Sequence, residues 1–477
     1  MPRDLWAIEN GIEFKMRREI RPTDWPRFRK HASLVRTFSS TWTTTTEYHI
    51  LDHTWYQNLY IATRGEALLP NVKDFAWFDM SWNKDAAAAF PFIPLFLGPD
   101  ISTISISYQN DDNTVAALSL IASLPERYPN LTAVSFSFRD DVCAVISAAV
   151  LRWNGLQRIT VESLSPDALT HIASLPSLSA LTIGPAYYGM TLPSALPHSA
   201  FPALRNLSIR SEELEFSITF LRLWSTCSLL SGAEFRSNER SLSASTWAEI
   251  IGIVADKFSP SILTCLRIED YSESRADIDP ATVSEECVVP AKSLRPLLAF
   301  SNLTTVELSA SHGFDIDDAF ILDLAITWPR IEYLKFDSEC IPHRRPCATL
   351  FSLITLAQYC PLLYTIFINI NARIIPDIDP NAPKVSLAAL QFLNVVHSPI
   401  SSGDTAKVAA LLSDIFPNIE TLDSWYKKLR DEEDPPENDH DKRWTEVESL
   451  IVTFVGVRNQ EIARMNTRLA EAGIIAL

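Results

Sequence analysis

An α/β solenoid of short parallel strands and intervening helices is the fold class this sequence predicts, and two observations predict it. One is a phrase that returns along the chain: an aromatic residue or Leu, a Pro, a small or polar residue, then apolar positions spaced L-x-x-L-x-L. It reads Leu69-Pro70-Asn71-Val72 with Phe75 and Trp77, Tyr128-Pro129-Asn130-Leu131 with Val134 and Phe136, and Leu175-Pro176-Ser177-Leu178 with Leu181 and Ile183. Later copies are Phe201-Pro202-Ala203-Leu204, Trp328-Pro329-Arg330-Ile331, Cys360-Pro361-Leu362-Leu363 and Phe416-Pro417-Asn418-Ile419. The other observation is the spacing. Looser triplets fill the gaps, beginning at Ile101, Leu156, Leu230, Leu263, Leu303, Leu387 and Val447, so first positions fall roughly 22 to 40 residues apart. One unit copied many times gives a stack that grows along one axis, and the usual work of such stacks is binding.

Period and spacing together are those of leucine-rich repeats. The expected form is a curved horseshoe of irregular repeats, with parallel strands on the concave wall and helices on the convex one. Within each copy the L-x-L portion alternates as a strand with one buried face does, and the first apolar residue anchors its entry. The Pro lacks an N–H and disfavours helix in the residue before it, so it stops the preceding helix. Helices are expected between strands, as in Val115–Leu124, capped by Asp112 or Asn113, and Trp247–Val254, capped by Ser245 or Thr246. An Asn or Cys three residues beyond the last strand leucine would complete a strict repeat, but Arg139 and Leu164 stand there. Two of the looser triplets, Leu387 with Leu390 and Phe392 and Val447 with Leu450 and Val452, are assigned to strands on the same pattern.

Three regions follow. Residues 1–68 carry no clean repeat and read as an N-terminal capping and linker region, with a helix opened by Thr23 or Asp24 whose apolar stripe is Trp25, Phe28, Ala32 and Val35. Residues 69–460 are the repeat array, and 461–477 a C-terminal tail helix. Insertions rich in Pro, Ser or acidic residues interrupt the rhythm at 184–200, 271–291 and 371–385, and an acidic run fills 431–441.

Composition limits the partners. Of 477 residues, 41 are Lys or Arg and 58 Asp or Glu, a formal charge of −17, which leaves no basic face to neutralise a phosphate backbone. Nucleic acid is therefore not an expected partner, and no apolar run approaches the roughly 18 residues of a membrane span. Seven scattered cysteines make no disulfide framework, and the N-terminus carries no secretory signal, so cytoplasm or nucleus is the expected location.

Chemistry-bearing motifs are weak. Gly184-Pro185-Ala186-Tyr187-Tyr188-Gly189-Met190-Thr191 has the glycine spacing of a phosphate loop, but Met190 stands where the Lys is needed. Cys340, His343 and Cys347 lack a fourth zinc ligand, and His49 and His53 have no hydrolase pattern around them. No nucleophile elbow occurs, so the expectation is a chain that is not an enzyme, with no catalytic residue, cofactor or metal.

The stretches Asp4-Leu5-Trp6, Arg21-Pro22-Thr23-Asp24-Trp25-Pro26-Arg27-Phe28 and Leu34-Val35-Arg36 resemble the segment that follows the F-box in leucine-rich-repeat F-box proteins of mushroom-forming fungi. His397-Ser398-Pro399-Ile400, Leu411-Leu412-Ser413-Asp414-Ile415-Phe416-Pro417-Asn418-Ile419 and Trp444-Thr445-Glu446-Val447-Glu448 extend the resemblance over the whole chain. It implies a substrate-recognition subunit of a cullin ubiquitin ligase, holding a protein substrate for ubiquitylation. The F-box itself would lie upstream of Met1, so binding of the ligase adaptor is expected only if an upstream F-box is encoded. A repeat scaffold independent of any ligase is the alternative.

The recognition face follows from strand alternation, since residues flanking the buried apolar ones project from the strand wall. Early in the array they are Ser105, Ser107, Ser135, Ser137, Thr160, Thr182 and Ser208; later they are Arg210, Glu234, Arg236, Arg267, Glu269, Glu307, Lys335, Asp337 and Phe367. The later set is the candidate partner-binding surface, with Phe367 as an apolar anchor. Simple cross-strand pairing of exposed charges is the competing reading of the same residues.

Overall fold

Strand and helix alternate along the chain as the apolar triplets require. The computed structural model describes residues 3–9, 13–40, 50–51, 53–78, 90–108, 114–138, 142–186, 190–227, 229–238, 242–270, 285–338, 345–377, 385–424 and 439–471. Contacts group the chain into two units, Met1–Arg210 with Leu223–Ser225, and Ser211–Arg222 with Thr226–Leu477.

In the first unit a small sheet joins β1 (Trp6–Glu9) antiparallel to β2 (Glu13–Met16), which pairs in parallel with β4 (Ile50–Leu51). The Arg18 guanidinium clips this region together, 2.8 Å from both Asp4 and Asp24, next to the helix Trp25–Ala32. The main ladder starts with β3 (Thr37–Ser39), ahead of the first clean repeat. It continues in parallel through β5 (Asp74–Phe78), β6 (Thr103–Tyr108), β7 (Ala133–Phe138), β8 (Arg158–Val161) and β9 (Ala180–Ala186). Phe38 of β3 stacks on Phe75 at 5.5 Å and on Phe96 at 4.9 Å, which places β3 although its sequence carries no triplet. β10 (Asn206–Ser211) spans the junction between the two units.

The second unit repeats the arrangement with β11 (Gly232–Ser237), β12 (Cys265–Asp270), β14 (Thr305–Ser309), β16 (Tyr333–Asp337), β17 (Thr365–Phe367), β18 (Phe392–Asn394) and β19 (Thr421–Asp423), each parallel to the next. A two-stranded pair, β13 (Val289–Pro290) and β15 (Phe314–Asp315), lies apart from it. The molecule is thus α/β with parallel strand ladders.

The Pro phrase has a definite job. In Trp328-Pro329-Arg330-Ile331 the Trp328 N–H closes the helix on Leu324 O at 2.8 Å, and Trp328 O then accepts from Ile331 N at 3.1 Å. The same pair of bonds is made by Cys360 and Leu363, and by Phe416 and Ile419. Pro at the second position of this turn fixes the φ that the turn needs. In four copies the residue after the Pro, or its counterpart in a looser copy, ties one repeat to the one before. Asn71 donates to Ser33 O (2.7 Å), Ser177 to Leu156 O (2.9 Å), Asn302 to Ser261 O (2.9 Å) and Asn418 to Ala388 O (3.0 Å). Side-chain ties of this kind, which a strict repeat places after the strand, here stand before it.

Triplet residues such as Leu131, Val134 and Phe136, or Leu263, Leu266 and Ile268, are buried, as amphipathic strands demand. Two triplets behave differently. At β18 the interior residues are Leu390, Leu393 and Val395, while Phe392 is half-buried on the opposite face: the triplet lies three residues later than expected, an odd shift that strand alternation turns into a change of side. Val447, Leu450 and Val452 belong to a single helix, Asp439–Glu471, on which Val447 is buried and Val452 is 72% exposed. A spacing of three then two is compatible with either element, and helical neighbours decided this one. That helix carries residues 461–471, and it is fixed to the second unit by Trp444 Nε1 donating to Ser398 O at 2.8 Å and Arg458 to Ala410 O at 2.8 Å.

Helix starts also differ in detail. The helix Ala244–Lys257 is capped by Ser243, whose hydroxyl accepts from Thr246 N at 3.2 Å, so Ser245 and Thr246 are inside it. Asp112 and Asn113 lie outside the described residues, as do most of the insertion 271–291 and residues 431–438 of the acidic run.

Candidate partner-binding face

Alternation places one side chain in two on the open face of each ladder, and register decides which of these become neighbours. In the first unit Ser105, Ser135, Thr160 and Thr182 form one row, with Ser107 opposite Ser137 in the next. The row is short, polar and uncharged. Ser137 donates to Glu162 at 2.8 Å, and burial raises the Glu162 carboxyl above its ordinary value despite that bond. Arg210 lies on β10 in the first unit and is exposed.

The other eight candidate residues come together in the second unit. Parallel register aligns Glu234, Arg267, Glu307, Lys335, Phe367, Asn394 and Asp423 in one row across seven strands. The next row holds Arg236, Glu269, Ser309 and Asp337. From Glu234 to Lys335 the charge alternates at every strand. Opposite charges directly across a ladder attract by about 0.2–1 kcal/mol per pair, whereas like charges there would repel.

The ion pairs follow the register. Arg236 reaches Glu234 at 2.6 Å and Glu269 at 3.0 Å, and Arg267 reaches Glu307 at 3.0 Å. Lys335 is central, 2.9 Å from Glu307, 3.7 Å from Glu269 and 3.9 Å from Asp337. Its Nζ also stands 5.8 Å from the Phe367 ring centroid. Burial would lower the Lys335 ammonium pKa, but the Glu307 hydrogen bond and the surrounding carboxylates outweigh it and hold the pKa above its ordinary value. Burial and the Glu307 carboxylate push Glu269 up. Burial acts on Glu307 too, yet Lys335 and Arg267 prevail and hold it down.

Beside the charges lies an aromatic group that the sequence reading named only in part. Tyr333 and Phe367 have ring centroids 5.9 Å apart, and Phe367 and Phe392 5.2 Å apart, on three consecutive strands. Phe392 joins them because the triplet at β18 begins at Leu390 rather than Leu387, a choice that the spacing alone leaves open.

Other motifs resolve into structure. Gly184 lies within β9 at φ +106°, and a β-carbon there would stand 1.8 Å from Arg210 O, so close backbone approach accounts for this glycine. Tyr187, Tyr188 and Gly189 of the same motif lie outside the described residues, as do Cys340, His343 and His49. Cys347 is exposed, and His53 begins the helix His53–Thr63. Among the described residues no group of three His, Cys, Asp or Glu is placed to hold a metal ion, and no helix is long and apolar enough to cross a membrane.

Neither the protein-family models nor the curated proteins contain a match to this chain.

Proposed function

We propose that this chain is a protein-binding module, a leucine-rich-repeat solenoid of irregular repeats with its strands on the concave wall, whose charged open face recognises a protein substrate. The observation that carries this reading is the row of alternating charge from Glu234 to Lys335, continued by the Tyr333, Phe367 and Phe392 rings. Charge patterns of this kind select partners and fix register, while adjacent aromatics supply contact area. In the fungal F-box proteins that the sequence resembles, such a face selects a protein for ubiquitylation. The same role, as substrate-recognition subunit of a cullin ubiquitin ligase, is the reading proposed here, with no chemistry carried out by the chain itself.

Affinity capture with the full chain tests it, comparing wild type with Arg267→Glu and Lys335→Glu. Proteins retained by wild type and lost from both variants, while the variants stay folded, support recognition through this face. An identical set from all three removes the face from the function. Recovery of ligase adaptor with the product of the complete gene separates a ligase subunit from a scaffold that works without one.

A further inference from the structure

The charge row is incomplete at one end. Reading across the strands, Glu234, Arg267, Glu307 and Lys335 alternate in sign, then Phe367 and Asn394 interrupt, and Asp423 closes the row. Each carboxylate from Glu234 to Glu307 has a cation within 3.0 Å. Asp423 has none among the described residues. Its bonds are to neutral donors, Oδ1 accepting from Ser424 N at 2.9 Å and Oδ2 from Asn394 Nδ2 at 3.3 Å.

Those two bonds hold the carboxylate in one orientation and leave each oxygen a further lone pair. Asn394 is itself 3% exposed, and its Oδ1 is engaged by Val396 N at 2.8 Å, so the support for Asp423 is rigid. Phe392, a neighbour on the adjoining strand, presents a half-buried ring 5.2 Å from that of Phe367. The Lys335 ammonium sits on the far side of Phe367, one strand further away from Asp423. A fixed carboxylate on the strand adjoining the Phe392 ring, over which no cation stands among the described residues, suits a guanidinium or ammonium, which gains both an ion pair and a cation–π contact.

We propose that Asp423 with the Phe392 and Phe367 rings forms a docking site for one Arg or Lys side chain of the bound protein. The incoming cation gives Asp423 the charge partner that Glu234 and Glu307 already have within the row. This inference rests on the proposed protein-binding role of the open face and names the chemistry that the partner brings to it.

The test is a random dodecapeptide library displayed on phage and selected on the full chain. Enriched peptides sharing an Arg or Lys at one position support the site. The leading synthetic peptide then binds about ten-fold more weakly, by calorimetry, to Asp423→Asn and to Phe392→Leu. Asp423→Asn keeps an acceptor for Ser424 N and Phe392→Leu keeps apolar volume, so each variant reads independently if the other loses stability. Enriched peptides without a basic residue overturn the inference, as does a basic peptide whose affinity neither variant changes. If such peptides instead weaken with Arg267→Glu, the protein-binding role stands without this site. A library from which nothing is enriched counts against both.

Discussion

Lys335 donates to Glu307 Oε1 at 2.9 Å from the neighbouring strand, with both side chains only 15% exposed. Glu269 and Asp337 also lie within 3.9 Å of the same ammonium, so one cation is shared among three carboxylates on the open face. Removing it leaves Glu269 with Arg236 and Glu307 with Arg267, each short of one cation in a half-buried setting. Lys335→Met is expected to cost about 2–3 kcal/mol at pH 7, measured by urea unfolding. The pH dependence carries a sign. Glu307 in the folded chain lies below its ordinary value of 4.5, so its contribution is present above that value and is lost as pH falls through the folded one. In Lys335→Met, Glu307 loses the main charge that holds it down and Glu269 loses the one that opposes its rise, and protonation relieves both. The gap between variant and wild type should therefore narrow between pH 7 and pH 4; a gap that widens contradicts the assignment.

Gly184→Ala combines a left-handed backbone at φ +106° with a β-carbon 1.8 Å from Arg210 O. Both sites are backbone, so no side-chain rotation relieves the clash. A loss of at least about 2 kcal/mol is expected, seen as a lowered melting temperature. A melting temperature equal to that of wild type would mean that β9 is placed differently.

His397 is 4% exposed, and its ring nitrogen Nε2 lies 3.2 Å from Ser338 O. Burial lowers its pKa from 6.5 to about 4, against the small opposing effect of that bond. The folded chain therefore resists protonation that the unfolded chain accepts below 6.5. Stability is full above 6.5 and falls as pH drops toward 4, by an amount on the order of 3 kcal/mol. His397→Gln keeps a donor for Ser338 O and does not titrate. It should lose less stability than wild type over this range in urea unfolding, and its equality with wild type would remove His397 as the cause.

Asp318 links two helix starts. Its Oδ1 accepts from Thr349 N at 2.8 Å and from the Ser352 hydroxyl at 2.5 Å, and its Oδ2 from the Thr349 hydroxyl at 2.7 Å. Thr349 is in turn the N-cap of the helix Leu350–Tyr359. Asp318→Ala should cost about 2 kcal/mol, with Thr349→Val non-additive to it in a double-mutant cycle. Additive losses would show that the two residues act separately.

Much of this was legible in the residues themselves. The Pro phrase gave both the helix stop and the strand start, because Pro fixes φ and lacks an N–H wherever it stands. Leu334 and Phe336, or Val306 and Leu308, announced their burial by alternation alone. The open-face residues could be named for the same reason, since a strand that buries Leu334 must project Lys335. Less was legible where two elements share a spacing, since Val447, Leu450 and Val452 fit a strand and lie in a helix, or where two triplets overlap, since the one at β18 begins at Leu390 rather than Leu387. The ladder tie supplied by Asn71, Ser177, Asn302 and Asn418 was visible only as a small or polar residue after Pro, or after Ser301 in the looser copy, because its acceptor belongs to another repeat.

By itself the sequence determined the alternating α/β order, the buried face of nearly every strand and the residue types on the opposite face, because these depend on neighbours within a few positions. Only the tertiary structure decided which of those residues meet. Glu234 and Asp423 stand far apart in the chain and occupy one row because parallel strands joined through helices bring equal positions of successive repeats side by side. Whether Arg267 faces Glu307 or a like charge, and whether Phe392 joins Phe367, is a matter of register, and register is fixed by the packing of the whole ladder.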